Sequence, residues 1–568
     1  MPNLCIDNLD ITAADGMTIL QAAASVGIDI PHLCSADGCE AETSCLVCLV
    51  RVEGIRRLVP ACATKVAHGM IVLNNTDEVT LARRTALELL LADHTGECFA
   101  PCRNVCPAHL DIPGMIQQIN EGNLREAAKI AREDLILPAI LGHVCPGLCE
   151  KGCRRAAADQ AVSICSLHRY AAEMDLATDN PWLPELTPPT GKRVAIIGAG
   201  PAGLAASYIL LKRGHAVTLF DSATAAGGTL RTSVDAAKLP REIIDAEAAL
   251  LARMGATFHF GQTLGQDITL DSLRQTHDAI LIAVGQATPP SSSHPLPTSP
   301  KGEENKPGSP PASGNAPLSK GEEGKPDSPP TSGDAPLFKG EESKPDSPPP
   351  WGRVREGVGM KEIPALPPDV FAATAIHEHA VRAVADGKSV ADAIDAFLAG
   401  RPVPTHPHNF AVRMGKLSPV EMQSFLADSS DHPRLNLKDA TFSPDQASTE
   451  AQRCMECGCH SLQWCRLRQY AIQYQADPNR YRGERRAYVR DESHPSVTFD
   501  RGKCIDCGLC VQVTRRHGEP LGLTFVGRGF DVHVAVPFGE SLAEGLKQTA
   551  EEACRVCPTG ALRRRETE

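Results

Sequence analysis

The sequence predicts a multidomain α+β and α/β protein. A small β-grasp sheet, a helical domain, a Rossmann-like α/β domain and a cysteine-rich C-terminal module should follow one another along the chain. Three observations carry this expectation. The spacing of apolar residues switches from strand-like to helix-like near residue 79. A Gly198-x-Gly200-x-x-Gly203 turn stands between an apolar run and a helical one. The 22 cysteines lie mostly in tight groups with ligand-like spacing.

Residues 1–78 alternate short β-like runs at 4–6, 18–20, 47–52 and 70–73 with turn signals, as a small β-grasp sheet requires. From 79 to 190, LARRTALELLLADH and IPGMIQQINEGNLREAAKIARE place apolar residues three and four apart, which predicts helices. In 191–288, VAIIGA reads as a buried parallel strand, AGLAASYILLKRG as the helix after the turn, and AVTLFD as the next strand, which is βαβ architecture. Residues 289–360 break the pattern. KGEENKPGSPPASGNAPLS recurs with a period of 19 from Lys301, Lys320 and Lys339. Pro, Gly, Ser and charge dominate these units and no apolar face is available for stacking, so a disordered insertion is expected. Residues 361–400 read as a return segment of the α/β domain, 401–453 as a partly helical linker, and 454–568 as the C-terminal module.

A chain of 568 residues can hold several domains, each burying its own core. The net charge of -12 argues against a nucleic-acid partner, because phosphate binding needs a basic face. No run of about 18 apolar residues predicts a membrane span, and the N-terminus shows no basic-then-apolar secretory signal. Short Cys-x-x-Cys repeats in such a chain point to metal sites in a reducing cytoplasm rather than to disulfides. No nucleophile–base constellation supports hydrolytic or acyl-transfer chemistry.

The first cysteine group is Cys34, Cys45, Cys48 and Cys62 after TILQAAASVGIDIPHLC. It resembles the [2Fe–2S] domain of the respiratory NADH dehydrogenase large subunit and of iron hydrogenases over about 75 residues, including ACATKVAHGM around Cys62. Cys39 reads as a spare thiol and Cys5 as a core residue, with a four-thiolate zinc site as the rival to a cluster.

DHTGECFAPCRNVCPAHLDIP and LPAILGHVCPGLCEKGCRRAAADQAVSICSLHRYAAE resemble the N-terminal domain of the glutamate synthase small subunit and of dihydropyrimidine dehydrogenase. That domain is helical and holds two [4Fe–4S] clusters with interleaved ligands. The resemblance implies that Cys106 joins Cys145, Cys149 and Cys153 around one cluster, while Cys98 and Cys102 serve the other. An upstream cysteine of the pattern is missing here, with Thr95 near its place. Cys165, His94 and His168 are the candidates to complete the second set, the Cys165 thiolate first.

Gly198, Gly200 and Gly203 let backbone approach a pyrophosphate at a helix N-terminus, and Asp221, ending the next strand, can accept from a ribose hydroxyl. Gly227, Gly228 and DAILIAVGQA with Gly285 match the same glutamate-synthase type of flavoprotein, in which this fold binds FAD. In that family a second, NADPH-binding Rossmann domain follows the equivalent of Gly285. Here the 19-residue repeats occupy the place, and no further GxGxxG appears downstream. Thr374 and Ala375 replace a Gly-Asp pair that contacts FAD in the family, which implies weakened flavin affinity.

In the C-terminal module, Cys504, Cys507 and Cys510 precede Thr514, where two-cluster ferredoxins carry a fourth cysteine for the other cluster. One [4Fe–4S] cluster from Cys504, Cys507, Cys510 and Cys557 is expected, with Cys554 free or an alternative ligand. Cys454, Cys457, Cys459 and Cys465 form a further set that suits either iron–sulfur or zinc, the iron–sulfur neighbours favouring the former. The sequence thus leads to a cytoplasmic iron–sulfur flavoprotein subunit that passes electrons between FAD and its clusters, with other redox subunits or a ferredoxin as partners. Two alternatives stand beside it. One is a glutamate-synthase-like NAD(P)H oxidoreductase using a nicotinamide site on another subunit, the other a non-catalytic cluster-bearing scaffold.

Overall fold

The computed structural model describes residues 1–285, 367–373, 377, 379–403, 410–437 and 440–565. The repeat insertion at 289–360 and the pair Thr374–Ala375 lie outside the described residues.

The N-terminal sheet orders β1 (Asn3–Ile6), β2 (Leu9–Thr12), β3 (Leu49–Val52), β4 (Val59–Pro60) and β5 (Met70–Leu73) as β2-β1-β5-β3-β4. β1 and β5 run parallel, while β1–β2 and β3–β5 are antiparallel. The hairpin β1–β2 turns on Asp7 and Asn8, both at positive φ, as a two-residue turn between twisted strands demands. The run at 18–20 is not a strand. Thr18 makes a single bridge to Lys65 and then caps the helix Ile19–Ser25 in a capping box with Gln21, so its β-branched side chain serves the helix N-terminus.

The helices Asp77–Ala92, Ile112–Asn120, Leu124–Leu135, Pro138–Val144 and Ile164–Leu176 follow. Behind them a parallel sheet orders β6 (Arg193–Ile197), β7 (Ala216–Asp221), β8 (Thr257–Phe260), β9 (Ala279–Ile282) and β10 (Val370–Ala372) as β10-β9-β6-β7-β8. The central strands β6, β7 and β9 are apolar and mostly buried, as strands covered by helices must be, while the edge strand β8 is largely exposed. One core runs from Leu135, Ile140 and Tyr170 of the helical domain into Leu204, Tyr208 and Val384 of the Rossmann-like domain. Buried Arg132 pairs with Asp175 of its own domain at 3.1 Å and, across the same boundary, with Glu247 at 3.4 Å.

The C-terminal module has a sheet β11 (Arg490–Asp491), β12 (Val497–Asp500) and β15 (Leu562–Arg564), and a hairpin β13 (Thr524–Val526) with β14 (His533–Ala535). Helices Leu509–Arg516 and Ala550–Val556 complete its core with Val497, Phe499, Val534 and Leu562. Residues 454–465 stand outside this module. Cys454 and Cys457 pack on the helical-domain core, and Cys465 on a third core shared by the first and last domains.

Candidate cluster sites and nucleotide crevice

All 22 cysteines are free thiols, and all but Cys5, Cys39 and Cys554 gather into five sets. In the first, Cys34, Cys45, Cys48 and Cys62 are buried around the loops that flank β3 and β4. The Cys34 sulfur accepts from the Cys45 and Cys62 thiols, which lowers Cys34 and raises both partners; Cys62 also donates to Cys48. Peptide groups of Leu33 and Val47 favour thiolate at Cys45, and those of Cys62 and Ala61 at Cys48. Cys39 stands apart, raised by burial and facing Arg516 and Glu552.

The helical domain divides its thiols differently from the sequence expectation. Cys106 gathers with Cys145, Cys149 and Cys165: the Cys165 thiol is hydrogen-bonded to Cys145 and Cys149, and Cys106 lies within electrostatic reach of Cys149 and Cys145. Cys153 is not in this set. It lines one cavity with Cys102, Cys454 and Cys457, among Ile112, Ile116, Val162 and Ile164. Burial pushes the Cys102 thiol well above its ordinary range, and charge on Cys454, Cys153 and Cys457 pushes it further. The division follows from the short helix Leu148–Lys151. Gly152 ends it so close to Val105 that a β-carbon would stand 2.5 Å from Cγ2, which seats Cys153 beside Cys102 while Cys149, one turn earlier, stays with Cys145.

The expected four-thiol set at 454–465 is therefore divided. Cys454 and Cys457 serve the cavity of Cys102, whereas Cys459 and Cys465 lie with Cys98. Glu456 at positive φ turns the chain between the halves, and the Cys459 N–H donates to the Cys98 carbonyl at 3.3 Å. Cys98 is thus not a partner of Cys102. His168 is held by packing, its Nδ1 3.2 Å from the Pro138 carbonyl. His94 is buried beside Lys503, which together with burial lowers it to about 4, and its Nδ1 has no hydrogen-bond partner.

In the fifth set Cys504, Cys507, Cys510 and Cys557 line one apolar cavity with Phe499, Val534 and Leu562. Thr514 turns its hydroxyl to the Leu523 N–H (3.1 Å) and the Val511 carbonyl (2.9 Å), a structural role. Cys554 is outside the cavity lining, raised by burial to about 12. Buried thiols such as these are neutral when alone, and iron supplies the positive charge that makes them thiolates. Four convergent thiols in an apolar cavity therefore fit a cluster. Among the described residues, no three His, Cys, Asp or Glu side chains are grouped to hold a single metal ion.

Sequence reasoning missed the charges around these sets. Arg154 donates to Cys457, lowering it against the effect of burial, and pairs with buried Glu97 at 2.6 Å. Arg453, wholly buried, fixes the start of the 454–465 segment. No spacing rule marks either arginine, although each is the direct neighbour of a cysteine that lines the Cys102 cavity.

The glycine turn after β6 opens the helix Pro201–Lys212. A β-carbon at Gly203 would stand 1.9 Å from the Gly198 carbonyl oxygen, so only glycine closes this turn; at Gly200 nothing lies within 4 Å, which leaves backbone open to a ligand. Asp221 braces the turn, accepting from Ala199 N at 2.6 Å and Ala223 N at 2.8 Å. Gly228 faces Gly200 across the crevice, and Gly285 has open space beside it. The residues present fit a dinucleotide pyrophosphate at this helix end.

Residues 3–77 match the 2Fe-2S iron-sulfur cluster binding domain. Residues 73–180 match the dihydropyrimidine dehydrogenase domain II with its 4Fe-4S cluster, 196–263 the NAD(P)-binding Rossmann-like domain, and 497–563 the 4Fe-4S single cluster domain. The NADP(+)-dependent formate dehydrogenase subunit beta of Moorella thermoacetica is 39% identical over 207 residues, 33% of this chain and 29% of the relative. The NAD-dependent dihydropyrimidine dehydrogenase subunit PreT of Escherichia coli strain K12 is 37% identical over 37% of this chain and 52% of its own length. The glutamate synthase [NADPH] small chain of the same strain is 37% identical over 34% of this chain and 42% of its own length. The chain thus spans about half or less of each of these relatives. It joins a 2Fe-2S domain, a dihydropyrimidine-dehydrogenase-type 4Fe-4S domain, a Rossmann-like nucleotide domain and a single-cluster 4Fe-4S domain in one polypeptide, and is a homologue of glutamate synthase small chain and related dehydrogenase subunits.

Proposed function

We propose that this chain is an iron–sulfur flavoprotein subunit of a cytoplasmic oxidoreductase, passing electrons between FAD and its clusters, with further redox subunits or a ferredoxin as partners. The observation that carries this reading is the convergence of nearly every cysteine into sets lined by apolar residues and backed by peptide N–H groups and arginines. Cys34, Cys45, Cys48 and Cys62 would hold a [2Fe–2S] cluster. Cys106, Cys145, Cys149 and Cys165; Cys102, Cys153, Cys454 and Cys457; and Cys504, Cys507, Cys510 and Cys557 would each hold a [4Fe–4S] cluster. Gly198, Gly200, Gly203, Asp221, Gly228 and Gly285 would receive FAD. A flavin exchanges electrons in pairs or singly, and clusters exchange them singly. The protein's part is to hold these groups at fixed separations and tune their surroundings. Lys388 does this between the flavin domain and the Cys106 loop: from the helix Ala380–Leu398 its Nζ donates to the Ala108 carbonyl at 3.0 Å and to the Asp134 carbonyl at 2.7 Å.

The partition of the thiols is the test. In anaerobically purified protein, Cys153→Ser should remove the cluster shared with Cys102 and leave that of Cys106, Cys145, Cys149 and Cys165 intact by EPR. Cys165→Ser should do the reverse. Zinc in place of iron, or the same cluster lost in both variants, would overturn the assignment.

A further inference from the structure

Cys459 and Cys465 lie in no set that the family resemblances account for, Cys98 is separated from the Cys102 partner that they imply for it, and none of the four matched domains includes residues 454–465. Their surroundings nevertheless have the features of a built site. Cys459 lies within electrostatic reach of both Cys98 and Cys465, and those two of each other. Peptide N–H groups are directed at two of the sulfurs: Val412 N donates to Cys98 Sγ at 3.4 Å, and that of Arg468 bonds Cys465. Such N–H donors stabilise thiolate. The cations Lys503 and Arg468 act on Cys98, offsetting the negative charge that a thiolate-bound cluster brings into a buried place. Gly560 covers Cys459, and a β-carbon there would stand 2.9 Å from its sulfur.

The place in the fold adds a role. Residues Arg466 and Leu467, next to Cys465, donate their N–H groups to the Pro558 carbonyl (2.9 and 3.4 Å), directly after Cys557 of the C-terminal cavity. On the other side, Cys459 is two residues from Cys457 of the Cys102 cavity, and Gly458 packs on Ala100. Cys507 in turn lies within reach of Cys34, and Cys102 within reach of Cys149. The five sets therefore form a continuous series from the N-terminal domain to the Cys106 set, and the three-thiol set is its middle member.

We propose that Cys98, Cys459 and Cys465 hold an additional [4Fe–4S] cluster on three thiolates, its fourth iron open to a non-thiolate ligand. This cluster relays single electrons between the C-terminal cluster and the cluster of Cys102, Cys153, Cys454 and Cys457. The inference rests on the cluster-bearing reading above. A relay step moves one electron from the reduced cluster on one side to the oxidised cluster on the other; no bond forms or breaks and no proton moves.

The test uses the full chain, purified anaerobically. Cys459→Ser and Cys98→Ser, on separate segments, should each lose about four iron and four sulfide per chain, the content of one such cluster. Both should retain the [2Fe–2S] EPR signal, which reports an intact fold. In the fully reduced wild type, the signal of the C-terminal cluster should be broadened by a paramagnetic neighbour, and in both variants it should sharpen. Iron content equal to wild type in either variant, or a C-terminal signal of unchanged width, would refute the site. A wild-type chain without iron would instead overturn the cluster-bearing reading itself, so the two failures are distinguishable.

Discussion

Replacing Arg453 tests how the chain fixes its cysteines. The guanidinium is fully buried and makes four contacts: Glu450 Oε1 at 3.0 Å, Asp159 Oδ2 at 3.0 Å, and the carbonyls of Gln160 at 2.9 Å and Ala161 at 3.4 Å. Arg453→Met keeps much of the side-chain volume and removes the charge, which leaves the Glu450 carboxylate buried without its counter-ion. Removing one partner of a buried ion pair costs about 3–5 kcal/mol. Glu450 keeps two amide donors, Ser163 N at 2.8 Å and Leu435 N at 2.7 Å, so the lower end of that range applies, about 3 kcal/mol. At a denaturant slope of about 3 kcal/mol per molar urea the midpoint falls by about 1 M. Because Cys454 is the next residue, the cluster of Cys102, Cys153, Cys454 and Cys457 should be lost first on titration, ahead of the [2Fe–2S] signal. Anaerobic urea titration followed by visible absorbance and EPR reads both effects. Arg453→Lys should fall between wild type and Arg453→Met, since one ammonium keeps the charge but cannot span four acceptors. A cost below about 1 kcal/mol for Arg453→Met, or an Arg453→Lys variant as damaged as the Met variant, would refute the argument.

Other consequences can be checked in parallel. Gly200→Ala meets no protein atom within 4 Å, so the stability of the flavin-free chain should change by no more than about 0.5 kcal/mol, while FAD binding, measured by equilibrium dialysis, weakens at least tenfold. Glu173 is opposed by burial, yet hydrogen bonds from His143, Thr441 and Arg169 bring its carboxyl down to about 2, below its unfolded value. A depressed carboxyl stabilises the fold above the unfolded pKa and loses this as pH falls through the folded one. The stability gap between wild type and Glu173→Gln should therefore be largest above about pH 4.5 and close towards pH 2, as urea midpoints across that range would show. NADPH mixed anaerobically with the FAD-saturated isolated chain should leave the flavin band unbleached, because the sequence offers no second Gly-rich strand–turn–helix to seat a nicotinamide. Dithionite should bleach it, and rapid bleaching by NADPH would disprove this reading.

Local physics made much of the molecule legible in the sequence. The period of apolar residues reported the helices and the parallel strands, because each element must bury one face or both. The glycines at 198, 200 and 203 marked the crevice because steric exclusion acts within a single turn. The sets 34/45/48/62 and 504/507/510/557 could be read from spacing, because in each most of the thiols come from one loop or one helix start. Where a local rule failed, the structure decided. The run at 18–20 read as strand-like, and in the fold Thr18 caps a helix instead, in a capping box with Gln21. The remaining thiols needed the tertiary fold. Cys149 and Cys153 are one turn apart and go to different sets because Gly152 packs on Val105, a contact between segments far apart in sequence. Cys454 and Cys457 reach Cys102 across some 350 residues of chain, guided by the buried Arg453–Glu450 pair, while Cys459 and Cys465 turn towards Cys98. Spacing shows which thiols can share a loop. Which loops meet depends on apolar burial and on the need to pair buried charge, and that was decided only when the domains packed together.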